Sequence, residues 1–333
     1  MCGTRFDVAV LLPGVGVFGG VRRFIALGNE FVRRGHGFVI YHPTGEPPGW
    51  LPFAGETRPL SALPEHRHEV LICNNPPQLG AFENAHAGIK LFYFALEGIP
   101  GERAIARRRD WVIAVNSTGL HRRLRRRYGV DAEKAIGGVD LETFRPGGTY
   151  PPPGDEFRVM VFGRTSRRRK GAELAIRAVE RVARDHGDVR LVLFDHVGVG
   201  NERDPRDEIK TRVPLEFHVN PSQDELAALY RGSHAFVSAE RRAGWANTVA
   251  EAMACGTPVV CTRSGSTDIA LPGETAWVAR VRHPWVLARS LRGLRDAPHK
   301  SLALRTNALR RIPGYAWPAV ADQLERIIAR RLT

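Results

Sequence analysis

The amino-acid sequence predicts an α/β protein built from two parallel-sheet domains, and three observations carry that expectation. Short apolar runs alternate with helically spaced apolar residues along almost the whole chain, the pattern of a parallel sheet whose crossover helices cover both faces. A length of 333 residues exceeds one ordinary core and suggests about two domains. The stretch Pro146–Asp155, PGGTYPPPGD, breaks the alternation. Its prolines and glycines hold neither a helix nor a central strand, so it reads as a linker.

The elements follow in order. Phe6–Leu12 is a first strand, Gly14–Gly20 a glycine-rich turn, and Val21–Arg34 a helix with Phe24, Leu27 and Phe31 on one face. Gly35 ends that helix and Phe38–Tyr41 is the second strand. Glu69–Cys73, Ile89–Phe94 and Trp111–Val115 are further strands, and Leu120–Tyr128 is a short basic helix. Beyond the linker, Arg158–Phe162 and Arg190–Phe194 are strands on either side of the helix Ala172–Arg184. Leu215–Val219, Ala235–Ser238 and Pro258–Thr262 are later strands, and Trp285–Arg295 and Ala319–Arg331 are closing helices. No repeat of solenoid period is present. Two such halves around a linker imply a cleft, with ligands beyond the carboxyl ends of the strands.

Composition narrows the class. Apolar residues make up 43% of the chain, which excludes a disordered protein. No run reaches the ~18 apolar residues of a membrane span, and the opening MCGTRFDVAVLLPG reads as a strand rather than a signal peptide. Cys2, Cys73, Cys255 and Cys261 form no CxxC pair and sit mostly in apolar contexts. A reducing, cytoplasmic setting is expected, without a disulfide framework or zinc site. The formal charge of +14 favours anionic partners. Only five of the 49 basic residues are lysines, so arginine also serves as the general polar residue.

Three segments carry chemistry. Residues 240–262, ERRAGWANTVAEAMACGTPVVCT, read as loop, helix and strand, with Gly256 as a left-handed stop and Pro258 closing the helix. The helix start at Asn247 and Thr248 offers amides to an anion, and Glu251 places one carboxylate in the same helix. Residues 161–176, VFGRTSRRRKGAELAI, read as a strand ending at Gly163, a basic loop, and a helix beginning near Gly171. Arg164 and Lys170 can converge there on a phosphate, whereas Arg167, Arg168 and Arg169 read as solvated. Residues 14–23, GVGVFGGVRR, match GxGxxG, but the second strand ends in Tyr41 and His42 without the acid a dinucleotide ribose requires. Gly19 and Gly20 still permit close backbone approach to a ligand.

Together these segments resemble the retaining family-4 glycosyltransferases with a GT-B fold, two Rossmann-like domains facing across a cleft. LGNEFVRRGHGFVIY, AVNSTGLHRRLRRRYGV, GGVDLETFRP, GRTSRRRKG, GWANTVAEAMACGTPVV, SGSTDIALPGETAWV and the late YAW carry the resemblance over nearly the whole chain. It implies an acceptor-side domain over 1–148, a nucleotide-sugar domain over 149–312, and a C-terminal helix, 313–333, packing back on the N-terminal domain. It implies that Gly163, Arg164 and Lys170 bind the donor diphosphate and Glu251 the ribose hydroxyls. Asn247, Thr248 and Val249 would present the helix start to the donor, and Gly19 and Gly20 would face its phosphate. The implied reaction is glycosyl transfer with retention from a nucleotide-diphosphate sugar to a glycan, lipid-linked or small-molecule acceptor, with no metal and no cofactor beyond the donor substrate. No DxD triplet or metal-spaced histidine cluster is present.

Two departures stand out. The family signature sets a first Glu eight residues before the ribose acid, and Ala243 occupies that place; Glu240 substitutes only if the ERRAGW loop folds back. In the first domain, where a His often faces the sugar, KLFYFALEGIPGE offers Glu97 as an acceptor-side acid. His66 and His68, in HRH, read as loop residues. The basic helix LHRRLRRRY, with Arg107–Arg109 upstream, suits peripheral contact with an anionic membrane. Nucleic acid is not expected, because no aromatics interleave the basic runs. The alternatives are a non-catalytic sugar-nucleotide-binding module and another GT-B enzyme such as a sugar-nucleotide epimerase.

Overall fold

In a computed structural model, which describes residues 5–152, 154–198 and 204–332, the chain forms two compact units. The first ends at Gly138 and takes back the terminal helix; the second is Val139–Ala316.

The first unit runs β1 (Asp7–Leu11), α1 (Gly19–Arg33), β2 (Gly37–His42), β3 (Glu56–Pro59), β4 (His68–Cys73), α2 (Leu79–Asn84), β5 (Ala87–Phe94), α3 (Glu102–Ala106), β6 (Val112–Val115), α4 (Thr118–Tyr128) and β7 (Glu133–Lys134). Its sheet order is β3-β2-β1-β4-β5-β6-β7, parallel at every pairing. Residues alternate between faces as a strand requires. Val8 and Val10 pack with Phe24, Leu27 and Phe31 on one side, and Ala9 and Leu11 with Phe82, Leu120 and Leu124 on the other.

The second unit runs β8 (Phe157–Phe162), α5 (Ala172–Ala183), β9 (Val189–Asp195), β10 (Leu215–Val219), α6 (Gln223–Arg231), β11 (Ala235–Ser238), α7 (Asn247–Ala254), β12 (Val259–Thr262), β13 (Trp277–Ala279), α8 (Pro284–Asp296) and α9 (Pro298–Arg311). Its order is β10-β9-β8-β11-β12-β13, again parallel throughout. Both sheets are Rossmann-like, as the periodicity predicts. α10 (Trp317–Leu332) packs in the first unit. Arg34 holds Asp322 and Glu325 at 2.6 and 2.8 Å, and Gln323 bonds both backbone groups of Ile136.

The chain passes between units at Gly138, ten residues before the expected boundary at 148. The stretch expected as a linker belongs to the second unit. Phe144 is buried beside Tyr230, and the Tyr150 hydroxyl donates to the His234 carbonyl at 3.2 Å. Phe144, just before the stretch, and Tyr150, within it, tie it to that unit. His68 also departs from the loop reading: it is the buried first residue of β4. Its Nδ1 lies 2.7 Å from Asp7 and its Nε2 3.0 Å from the Tyr41 hydroxyl.

Cys73, Cys255 and Cys261 are free and buried, and burial pushes each thiol up to about 12; Cys2 lies outside the described residues. Among the described residues no helix is long and apolar enough to cross a membrane, and no group of three His, Cys, Asp or Glu side chains is gathered for a metal.

Candidate functional site

Three buried charged residues of the second unit, Asp195, Arg164 and Glu240, lie at or just past the carboxyl ends of three neighbouring strands, β9, β8 and β11. β8 ends at Phe162, Gly163 turns the chain, and a loop carries it to α5. Gly171 starts that helix at φ 74°, and a Cβ there would fall on the Ala239 carbonyl oxygen. Only glycine accommodates both the left-handed backbone and the contact. The close approach draws the basic loop against the end of β11, where Arg241 N–H donates to the Arg169 carbonyl at 2.8 Å.

That contact sets the side chains. Lys170 Nζ lies 2.6 Å and Arg169 3.2 Å from the same oxygen of Glu240, whose side chain is 3% exposed. Glu240 is therefore a buried carboxylate anchoring two cations. Arg169, expected in solvent, is one of them. Arg164 is buried, its Nε donating to Asp195 and its Nη2 to the His196 carbonyl, both at 2.9 Å. A guanidinium carries five N–H donors, so these two bonds leave others unused. Both cations lie near one ring, with Arg164 at 5.4 Å and the Lys170 ammonium at 5.7 Å from the Phe162 centroid. Arg164 and Lys170, expected from sequence to converge on a phosphate, thus share Phe162 as a neighbour. Positive charge crowds here: the Arg167 guanidinium is held below its ordinary value, first by burial and then by Arg169 and Arg164.

α7 supplies the third component. Val249 and Ala250 N–H groups both donate to the Ala246 carbonyl at 3.1 Å, so the amides of Asn247 and Thr248 precede the helix ladder. Val249 differs from expectation. Its amide is taken and its side chain is buried, so it packs the helix and offers no donor. Glu251 is 5% exposed and accepts from the Tyr230 hydroxyl at 3.2 Å. Tyr230 is fixed by Phe144, Phe194 and Phe236 around its ring. Ala243 is buried, with its N–H on Ser264 Oγ at 2.9 Å. A Cβ added to Gly265 would come within 2.7 Å of the Ala243 Cβ, so the small side chain is packed against the following loop.

The candidates in the first unit are less constrained. Gly19 and Gly20 open α1, and a Cβ on Gly20 would meet only Asn74 Nδ2, at 3.5 Å. Glu97 follows β5, half-buried, and its charge acts on Arg123. Arg123 itself binds Glu102 at 2.8 Å. Glu102 is buried and also accepts from Tyr128 at 3.0 Å and from the Gly98 amide. Burial alone would push this carboxyl up, but the bonds from Arg123, Tyr128 and Gly98 outweigh it and hold it low. Asp195, Tyr230, Asn74 and Glu102 escaped the sequence reading. Asp195 had a local signal, an acid at the end of an apolar strand; the others had none.

Residues 156–296 match the family described as glycosyl transferases group 1. A D-inositol 3-phosphate glycosyltransferase of Catenulispora acidiphila is 32% identical over 248 residues, covering 68% of this chain and 58% of the relative. One of Rhodococcus opacus is 29% identical over 241 residues, covering 67% and 54%. The chain thus spans little more than half the length of these two relatives. Among solved structures, sucrose-phosphate synthase from Thermosynechococcus elongatus superposes with a TM-score of 0.78 at 18% identity, covering 98% of this chain and 99% of that one. Anabaena HepE, in complex with UDP and glucose, superposes at 0.76 with 13% identity, covering 98% and 100%. At such identities the structures report on the fold alone. On these matches the two Rossmann-like units share the fold of these solved structures, and residues 156–296 match the group 1 glycosyltransferases.

Proposed function

We propose that the protein transfers a glycosyl group, with retention and without a metal, from a nucleotide-diphosphate sugar to an acceptor hydroxyl. The observation that carries this reading is the pair Arg164 and Lys170, held near one ring by buried Asp195 and Glu240. In the reaction the bond from the anomeric carbon to the diphosphate oxygen breaks, and one to the acceptor oxygen forms on the same face. Negative charge builds on the departing diphosphate oxygen, which takes up the acceptor proton. Fixed cations aimed at that charge, together with the first amides of α7, stabilise it without reorganising as it develops. Glu240 positions Lys170. Glu251, held by Tyr230, accepts the ribose hydroxyls. Gly163 keeps the turn after β8 open to the diphosphate. Gly19 and Gly20 give a phosphate close backbone access, and Glu97 serves as the acceptor-side acid. The division at 148 and 312 becomes, on this reading, an acceptor unit extending to Gly138 and a donor unit over 139–316.

UDP is the first nucleotide to test, because the Anabaena structure binds it. Inositol phosphate is the first acceptor, because the curated relatives are named for it. A cytoplasmic protein working on a lipid-linked acceptor at an anionic membrane surface is the setting the basic α4 suits. The experiment incubates the full chain with UDP-, GDP- and ADP-sugars and acceptors, follows nucleotide release with and without EDTA, and reads the product's anomeric configuration by NMR. Release that survives EDTA, with a retained anomer, is the expected result. Ala243 favours one rival, a binding module lacking the second acid: nucleotide binding with no release over the whole panel would establish it.

A further inference from the structure

One basic surface of the second unit takes no part in the transfer chemistry. It runs along the outer side of α5, where two cavities of about 700 Å³ and about 370 Å³ open side by side and share Glu180 and Arg184. Arg177, Arg181 and Arg184 follow one another along the helix at the spacing that puts side chains on one face. Lys210 and Arg212, from the segment before β10, wall the far end.

Among the described residues, none of these five cations forms an ion pair, and Glu180 is the one carboxylate lining the two cavities. Neighbouring arginines behave differently: Arg295 reaches Asp188 at 2.8 Å and Arg190 reaches Glu156 at 2.6 Å. Unpaired like charge in one groove repels itself and attracts a counter-charge. An aromatic surface lies at the other end. Trp285 is 59% exposed, and the Arg181 guanidinium sits 4.6 Å from its ring centroid. From Leu174 to Arg184 the helix rises about 15 Å, so the groove is long enough for a chain. It leads from the start of α5, beside the basic loop, to the amino ends of β9 and β10.

We propose that this groove binds an anionic oligosaccharide, with its acidic groups on the five cations and one sugar ring on Trp285. The choice of a sugar chain over another polyanion rests on the sugar-transfer reading. It is also favoured by the single exposed indole, since single-stranded nucleic acid is usually held by several stacking aromatics. The bound chain would be the part of an acceptor or product that lies away from the reacting end.

The test titrates the full chain, without donor, with hexagalacturonate, with maltohexaose as its neutral counterpart, and with a twelve-nucleotide single strand. Hexagalacturonate should bind about tenfold tighter than maltohexaose, and the combined variant Arg177→Gln, Arg184→Gln, Lys210→Gln, Arg212→Gln should lose about that factor. Trp285→Ala should lose about threefold on the same ligand. A control set at α4, Arg122→Gln, Arg125→Gln, Arg126→Gln and Arg127→Gln, should bind as the parent does. Each variant's melting temperature and nucleotide affinity are measured alongside, so failure of the groove is separable from failure of the donor site. Undiminished hexagalacturonate binding in the groove variant would overturn the proposal, as would loss in the control set. Tighter oligonucleotide binding with the same sensitivity to the groove residues would assign the surface to nucleic acid instead.

Discussion

The carboxyl ends of the two sheets are furnished differently. In the second unit, β9, β8 and β11 lead into Asp195, Arg164 and Glu240, all buried and all paired. In the first unit, the corresponding ends lead into neutral or open groups. β1 runs into a glycine-rich turn, β4 into Asn74 and Asn75, which bond each other at 3.1 Å, and β5 into the half-buried Glu97. The same parallel topology therefore supports two surfaces. One is a charged constellation whose members are buried and paired. The other is a small-residue surface where a substitution alters access more than folding.

The largest expected effect falls on the charged side. Arg164→Ala removes the guanidinium from buried Asp195, and breaking a buried pair costs about 3–5 kcal/mol. Urea unfolding followed by domain-specific proteolysis should show the second unit opening first; an unchanged midpoint would mean that the pair does not brace the loop. Tyr230→Phe is milder. It removes one donor from buried Glu251, for about 1–3 kcal/mol, and calorimetry should show a lower melting temperature with weaker nucleotide binding.

The first unit has buried charges of its own in Arg23, Glu30 and Glu102, and Glu102 sharpens the contrast. Glu102 is held below its unfolded value, so its stabilisation is complete above about pH 4.3 and is lost as pH falls through its lower folded value. Glu102→Gln should flatten the acid limb of a stability–pH curve while the neutral limb only drops; an acid limb of unchanged shape counts against the Arg123–Tyr128–Gly98 cage. Gly20→Ala is the smallest change. Its Cβ meets only Asn74, and stability should move by less than about 1 kcal/mol. If donor affinity falls in that variant at unchanged stability, the open side contributes access to the phosphate.

Much of the fold was legible because buried parallel strands are short apolar runs, and Leu215–Val219 and Ala235–Ser238 end where the sequence placed them. β3, β7 and β13 were not, being two to four residues long, and β3 and β7 carry almost no apolar residues. α9 was missed because its buried face consists of Ser301, Leu304 and Ala308, too weak a stripe among basic residues. At the site, Arg164, Lys170, Glu240 and Glu251 were singled out from local motifs. The pairings were not, because Asp195, Glu240 and Tyr230 lie 31, 70 and 21 residues from Arg164, Lys170 and Glu251. Strand order brings these together, and no local pattern encodes it.

The central claim is that the second unit's charged constellation is a nucleotide-diphosphate site. Calorimetric titration of UDP, GDP and ADP into the parent chain, Lys170→Ala and Glu251→Gln tests it most directly. The account predicts that one nucleotide binds the parent and that each substitution weakens it about tenfold or more, with the fold intact by circular dichroism. Unchanged nucleotide affinity in both variants would contradict it.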